Sequence, residues 1–328
     1  MWLNRWLLAL VIGLVLALAG VSCGGSGDGA KNVRVALDWF PWSNHSGLFI
    51  AQEKGYFKSQ NLNVDIYTPA DPATVLQTVG AGKDDFGISY QLDVLLARAQ
   101  GIPVVSIAAL VQHPLNSIMT LKESGLTRPR DLKGKKIGYP GLPSDTAMLR
   151  TVLTSDGIRL DDVELVNVGF DLVPVLIGKK VDAILGAYWV HESIDAELQG
   201  YPVNIMRLEQ WGVPDYYELV LVTSEKKVKE DPDLLHRFVH AAVKGYEDAI
   251  ANPQASVDVL AKAHPEINQE VERRGVELLA PLWKDNLTTF GGQTEARWRG
   301  VADWMKANGV LDKAVDPSRA FTDTFIKE

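Results

Sequence analysis

The chain has 328 residues, 46% hydrophobic and 23% charged, a balance that supports folded lobes with buried cores and excludes a largely disordered chain. Its formal net charge of −8 excludes the basic face that a nucleic-acid binder needs. One cysteine, Cys23, leaves no internal disulfide, so stability has to come from apolar cores.

In chain order, the N-terminus carries one early cation, Arg5, then an apolar run over 6–21, then Gly20-Val21-Ser22-Cys23. That order describes a secretory signal over 1–22. Small residues directly before the cysteine resemble the bacterial lipobox, although Gly20 stands where leucine is usual. The expectation is cleavage before Cys23 and lipid on that residue, which gives an extracytoplasmic protein anchored to the cell membrane. A plain signal peptide or an uncleaved anchor is the alternative. Residues 23–32 then read as a flexible tether, since the Gly/Ser/Asp run has nothing to bury.

From Val33 onward strand-like and helix-like runs alternate. Strands are predicted over 34–37, 63–67, 85–89 and 104–110, with helices over 47–54, 72–81 and 93–100 between them. Gly55, Gly82 and Gly101 punctuate the joins, as glycine does just past helix ends. This alternation predicts a mostly parallel sheet covered on both faces. An apolar strand over 117–121 leads into a polar segment, 122–135, and then into a second alternating series. That series holds strands over 136–139, 164–168, 183–185 and 203–206, a helix opening at Ser144, and a helix over 172–177. After another strand, 219–223, the pattern is nearly all helical from Asp231. The economical reading is an α/β protein in which a second lobe, 126–217, is inserted into a first made of 33–125 and 218–328. Two crossing segments then join the lobes across a cleft.

In such sheets the loops after the strands' C-terminal ends face the ligand, and four candidate clusters occupy those positions. In the first, Pro41 fixes its own φ and pushes Phe40 towards extended backbone, so the loop presents Trp39 and Trp42 as ring surfaces for a flat ligand. Asp38 can accept a ligand N–H or cap the turn, and His45 is a ligand contact or a structural hydrogen-bonder. Tyr90 and Gln91 follow the third strand. Ser144 and Asp145 sit where a Gly/Pro turn meets a helix N-terminus, which suits oxygen-rich ligand parts but equally suits ordinary capping. In the third cluster a helix starting near Trp189 places Tyr188 and Trp189 at the cleft, with Glu192 one turn on, reaching back. Tyr216 belongs to a fourth aromatic loop near the second crossing. No Gly-x-Ser-x-Gly elbow or P-loop occurs, the histidines lack metal-ligand spacing, and no cofactor is expected.

These residues carry a resemblance. The runs Leu37-Asp38-Trp39-x-Pro41-x-x-x-His45, Ala51-Gln52-x-Lys54-Gly55-Tyr56-Phe57, Gly87-Ile88-Ser89-Tyr90-Gln91, Lys136-Ile137-Gly138-Tyr139-Pro140-Gly141, Gly186-Ala187-Tyr188-Trp189-x-x-Glu192 and Gly212-Val213-Pro214-Asp215-Tyr216 resemble the ABC-importer solute-binding proteins related to thiamine pyrimidine-precursor binding. The resemblance implies a type II periplasmic-binding-protein fold and a monomeric receptor that hands a small ligand to a permease with its ATPase. The family has an enzymatic branch, the fungal pyrimidine-phosphate synthases. Where that branch carries its pyridoxal-phosphate lysine and its histidine, this chain has Ser89 and Asp93, so the resemblance implies a binder rather than a pyrimidine-modifying enzyme. Trp42 stands where the pyrimidine-binding branch commonly has asparagine. That indole favours a broad ring system, and the expectation is riboflavin ahead of formylaminopyrimidine, the N-formyl derivative of 4-amino-5-aminomethyl-2-methylpyrimidine.

Overall fold

The computed structural model describes residues 29–284, 289–313 and 315–326. The signal segment 1–22, Cys23 and the tether as far as residue 28 lie outside the described residues. The described chain enters directly into β1 (Lys31–Ala36), which pairs along its whole length with β2 (Leu62–Tyr67), Lys31 opposite Leu62. The strand therefore begins two residues before Val33 and takes in the end of the expected tether, because the backbone groups of Lys31 and Asn32 find partners on β2.

The first series continues with α1 (Ser46–Glu53), α2 (Tyr56–Ser59), β2, α3 (Val75–Gly80), β3 (Phe86–Ser89), α4 (Gln91–Ala99) and β4 (Val104–Val111). The second holds β5 (Asn116–Leu121), β6 (Lys136–Tyr139), α5 (Asp145–Ser155), β7 (Glu164–Asn167), α6 (Leu172–Ile177), β8 (Ala183–Tyr188), α7 (Glu192–Leu198) and β9 (Val203–Arg207). The chain returns through β10 (Leu219–Ser224) to α8 (Glu225–Glu230), α9 (Pro232–Ala251), α10 (Pro253–Ala263), α11 (Gln269–Trp283) and α12 (Glu295–Ala307).

Among the described residues the strands form two five-stranded sheets, β2-β1-β3-β10-β4 and β7-β6-β8-β5-β9. Two expectations change here. Strand β5 pairs with β8 and β9 of the second sheet, so the chain crosses between the lobes at 112–115 rather than near 125. The sheets are also mixed rather than mostly parallel in pairing: β5 and β10 run antiparallel to both of their neighbours. Each is the first strand after a crossing. It starts at the cleft, where its neighbours end, and so has to run the other way.

Both faces of each sheet are covered. In β1, Val33 and Val35 join one apolar cluster and Ala36 another; in β8, Leu185 joins one and Ile184 and Ala187 another. Helix α9 is fixed at its start by Asp231, whose carboxylate accepts from the Leu234 N–H, with Pro232 in the first turn. It crosses α1 backbone to backbone: a Cβ on Gly245 would lie 2.0 Å from the Gly47 carbonyl oxygen, so only glycine fits. Helix α11 packs on both α10 and α7, and the late helices thereby touch the second lobe as well as the first.

Candidate functional site

The loop after β1 is held at its start by the Leu37 N–H, which donates to the Tyr67 carbonyl at 2.8 Å. Asp38 then turns inward and is 1% exposed. Its Oδ1 lies 2.8 Å from His45 Nε2, and its Oδ2 accepts from the Tyr90 hydroxyl at 2.9 Å. His45 is fully buried behind Asp38 and does not line the cleft cavity, so it acts through the carboxylate it holds. Burial, then the Asp38 charge, push the Tyr90 phenol pKa well up, so Tyr90 stays a hydrogen-bond donor.

Between the lobes lies a cavity of about 500 Å³, part of it open to solvent. Of the residues expected from sequence, Asp38, Trp39, Trp42, Tyr90, Ser144, Tyr188, Glu192 and Tyr216 line it. The rings meet across the cleft. Trp39 packs edge-on against Phe170 of the second lobe at 4.5 Å, and Trp42 lies 5.4 Å from Tyr188 and 4.6 Å from His191. Trp42 is 3% exposed, so its indole is committed largely to the second lobe and offers a ligand little free face.

Other expected residues sit elsewhere. Strand β8 runs to Tyr188 and helix α7 starts only at Glu192, so no helix begins near Trp189. Tyr188 enters the cavity, whereas Trp189 turns away: its indole donates to the Pro114 carbonyl at 3.3 Å and carries the Arg207 guanidinium 4.4 Å above its ring. Gln91 is buried and accepts from the Tyr217 N–H at 2.8 Å, outside the lining. Asp145 also lies outside it, accepting from the Gly141 and Leu142 N–H groups at 3.0 and 2.7 Å, and so acts as the turn cap that was the simpler alternative. Nor does Ser144 leave its N–H open to a ligand anion. Its N–H and hydroxyl donate across the cleft to Asp93 at 2.9 and 3.0 Å. Burial raises the Asp93 pKa to about 7, against these two lowering hydrogen bonds.

Two polar lining residues were missed, Asn116 and Glu218, which stand at the ends of the two crossing segments. Glu218 is 2% exposed and accepts from the Leu115 N–H at 2.6 Å, the Asn116 N–H at 3.1 Å and the Tyr216 hydroxyl at 3.0 Å. Burial is the largest influence and lifts its pKa to about 7 in spite of those bonds. The available sequence signal was an acid placed directly before the wholly apolar run Leu219-Val220-Leu221-Val222. The Tyr188 hydroxyl is buried without a hydrogen-bond partner among the described residues, close enough to Glu218 to affect its charge.

A second set of contacts closes the outer side. His191 lies 3.1 Å from Glu192 Oε1 through Nδ1 and 3.1 Å from Glu272 Oε1 on α11 through Nε2. The other Glu272 oxygen accepts from the Ser43 N–H and hydroxyl at 2.8 and 2.6 Å. Burial by itself would lower the His191 pKa, but Glu192 and Glu272 together raise it to about 10. Glu192 Oε2 accepts from the Tyr188 N–H at 2.7 Å, so both of its oxygens are engaged within the second lobe. The cavity lining thus holds three carboxyl groups, from Asp38, Glu192 and Glu218, and neither lysine nor arginine. It suits a flat ligand rich in N–H donors and is poorly suited to a phosphate or carboxylate.

Comparison with known proteins gives the same picture. Residues 42–256 match the family described as NMT1/THI5 like. The formylaminopyrimidine-binding protein of Halalkalibacterium halodurans is 36% identical over 94% of this chain and 95% of its own length. The 4-amino-5-hydroxymethyl-2-methylpyrimidine phosphate synthase THI11 of Saccharomyces cerevisiae is 29% identical, covering 84% of this chain and 82% of its own. The riboflavin-binding protein RibY of Chloroflexus aurantiacus is 27% identical, covering 90% and 86%. Among solved structures, the alkanesulfonate-binding protein SsuA of Xanthomonas axonopodis pv. citri superposes with a TM-score of 0.68 at 16% identity, over 89% of this chain and 98% of that one. The chain has the periplasmic-binding-protein fold and belongs to the NMT1/THI5-like family.

Proposed function

We propose that this protein is a solute receptor that closes its lobes on formylaminopyrimidine and delivers it to an ABC permease. The observation that carries this reading is the cation-free cavity in which three carboxyl groups and three phenols, Tyr90, Tyr188 and Tyr216, surround a narrow space. A 4-aminopyrimidine brings the amino hydrogens that such a lining accepts, and its ring fits between Trp39 and the phenols. The similarity to the formylaminopyrimidine-binding protein, higher than that to RibY, supports the same ligand. Riboflavin, the ligand expected from sequence, takes second place. The preference for it rested on a broad indole face at Trp42, and that face is spent on Tyr188 and His191.

Binding without chemistry is part of the proposal, although the family includes named synthases. In this reading Asp38, fixed by His45 and Tyr90, and Glu192, fixed by Tyr188 and His191, shape the polar walls. The receptor acts as a monomer outside the cytoplasm, tethered by lipid on Cys23. Among the described residues no helix is long and apolar enough to cross a membrane.

The test is calorimetric titration of the purified protein with formylaminopyrimidine and, separately, fluorescence titration with riboflavin. Tight pyrimidine binding with no flavin quenching at micromolar protein is expected, and the ligand should be recovered unaltered by mass spectrometry. Flavin quenching without pyrimidine binding would hand the site to riboflavin, and a chemically changed pyrimidine would make the protein an enzyme.

A further inference from the structure

The three carboxyl groups of the cavity are not equally available. Asp38 has one oxygen on His45 and the other on Tyr90. Glu192 has one on the Tyr188 N–H and the other on His191. Glu218 differs: the Leu115 N–H, the Asn116 N–H and the Tyr216 hydroxyl all converge on Oε2, and Oε1 receives no hydrogen bond from the described residues. A buried carboxylate oxygen left open on the cavity side is an acceptor waiting for a donor.

Its neighbour completes the pattern. The Asn116 backbone N–H is one of the groups held by Glu218, and the Asn116 side-chain Oδ1 accepts from the Gly186 N–H at 3.1 Å. That bond fixes the amide orientation and leaves Nδ2, which donates to none of the described residues, as a donor beside the free acceptor. Both residues line the cavity. An acceptor next to a donor is the complement of an exocyclic amine next to a ring nitrogen, the 3,4-edge of a 4-aminopyrimidine.

We propose that Glu218 Oε1 and Asn116 Nδ2 read this amine and ring-nitrogen edge, making Glu218 and Asn116 the specificity-determining pair of the cavity. The inference rests on the pyrimidine reading above. It also ties recognition to the hinge. The Glu218 oxygen that meets no ligand holds the first crossing segment, at Leu115 and Asn116, against the second, on which Glu218 and Tyr216 sit. A ligand seated on Oε1 therefore braces both crossings at once.

The experiment compares formylaminopyrimidine with its 4-oxo analogue, whose carbonyl and ring N–H present the reverse polarity, by calorimetry at pH 8. Wild type should prefer the amino ligand by about 10- to 100-fold, the range expected for a charge-assisted hydrogen bond and an unmatched buried donor. Glu218→Gln keeps an oxygen for the two backbone N–H groups but turns the cavity-side atom into a donor. Asn116→Asp does the converse. Each should cut the amino-to-oxo preference by about tenfold or more, and the double variant should reverse it.

A structural role alone would weaken both ligands alike in the single variants and give no reversal, and that result overturns the proposal. An unchanged preference overturns it too, while leaving the pyrimidine reading intact. Failure of wild type to bind formylaminopyrimidine removes both. Melting curves are run on every variant, and if Glu218→Gln does not fold, Asn116→Asp alone decides: an undiminished amino preference overturns the pair.

Discussion

Trp42 shows how one side chain serves both cohesion and capture. Its indole is almost wholly buried, within ring distance of Tyr188 and His191 on the opposite lobe, and its Nε1 finds no partner among the described residues. Trp42→Ala should lower stability by about 3–5 kcal/mol, read from denaturant curves, and weaken ligand binding more than tenfold. Trp42→Phe should recover most of the stability. If the alanine variant bound and melted like wild type, the indole would be neither plug nor wall. Much of this site was legible beforehand, because a strand end at the cleft delivers its next residues there. Asp38, Trp39, Trp42, Tyr90 and Tyr188 follow that rule. Trp189 does not, because β8 continues to Tyr188 and the next side chain leaves on the other side. Glu218 and Asn116 were illegible for a different reason. Their roles exist only where two segments a hundred residues apart lie side by side.

At the scale of elements, closure depends on how near α11 comes to the turn before α7. Gly275 faces that turn: a Cβ there would lie 2.6 Å from the Val190 carbonyl oxygen, closer than carbon and oxygen tolerate. The glycine sits in the interior of a helix, where alanine is intrinsically better by roughly 0.5–1 kcal/mol. Gly275→Ala should therefore leave the ligand-free protein as stable as wild type or slightly more so, since the lobes can part to make room, yet cost at least tenfold in ligand affinity. Calorimetry paired with melting in the absence of ligand separates the two effects. Equal affinity in the variant would mean that the α11 contact plays no part in the bound state. The helix pattern after Asp231 announced these late helices. It said nothing of α11 touching the second lobe, because a glycine and a backbone carbonyl leave no hydrophobic period to read.

For the molecule as a whole, the groups trapped between the lobes set how stability responds to pH. Asp93 and Glu218 are both raised by burial to about 7, so between about pH 4 and 7 the folded chain holds protons that the unfolded chain has released. Stability contributed by these two acids must then fall as pH rises through that window and level off above it. His191 acts in the same direction at higher pH. Burial opposes its charge, but Glu192 and Glu272 outweigh burial and raise its pKa to about 10. Its stabilising ion pairs are complete below about pH 6.5 and lost as pH climbs towards 10. Asp156 works the other way. The Arg128 guanidinium foremost, with Arg130, holds its carboxyl far below the usual range, so its contribution is present above about pH 4 and lost only on strong acidification. The melting temperature of the ligand-free protein should thus be highest near pH 4 to 5 and decline steadily to pH 10. Asp93→Asn should flatten the lower half of that decline, because an asparagine oxygen still accepts from Ser144 without a proton to exchange. His191→Gln should flatten the upper half. A wild-type midpoint that rose between pH 5 and 8 would show these acids to be solvated instead, and the lobes to stand apart in the ligand-free state.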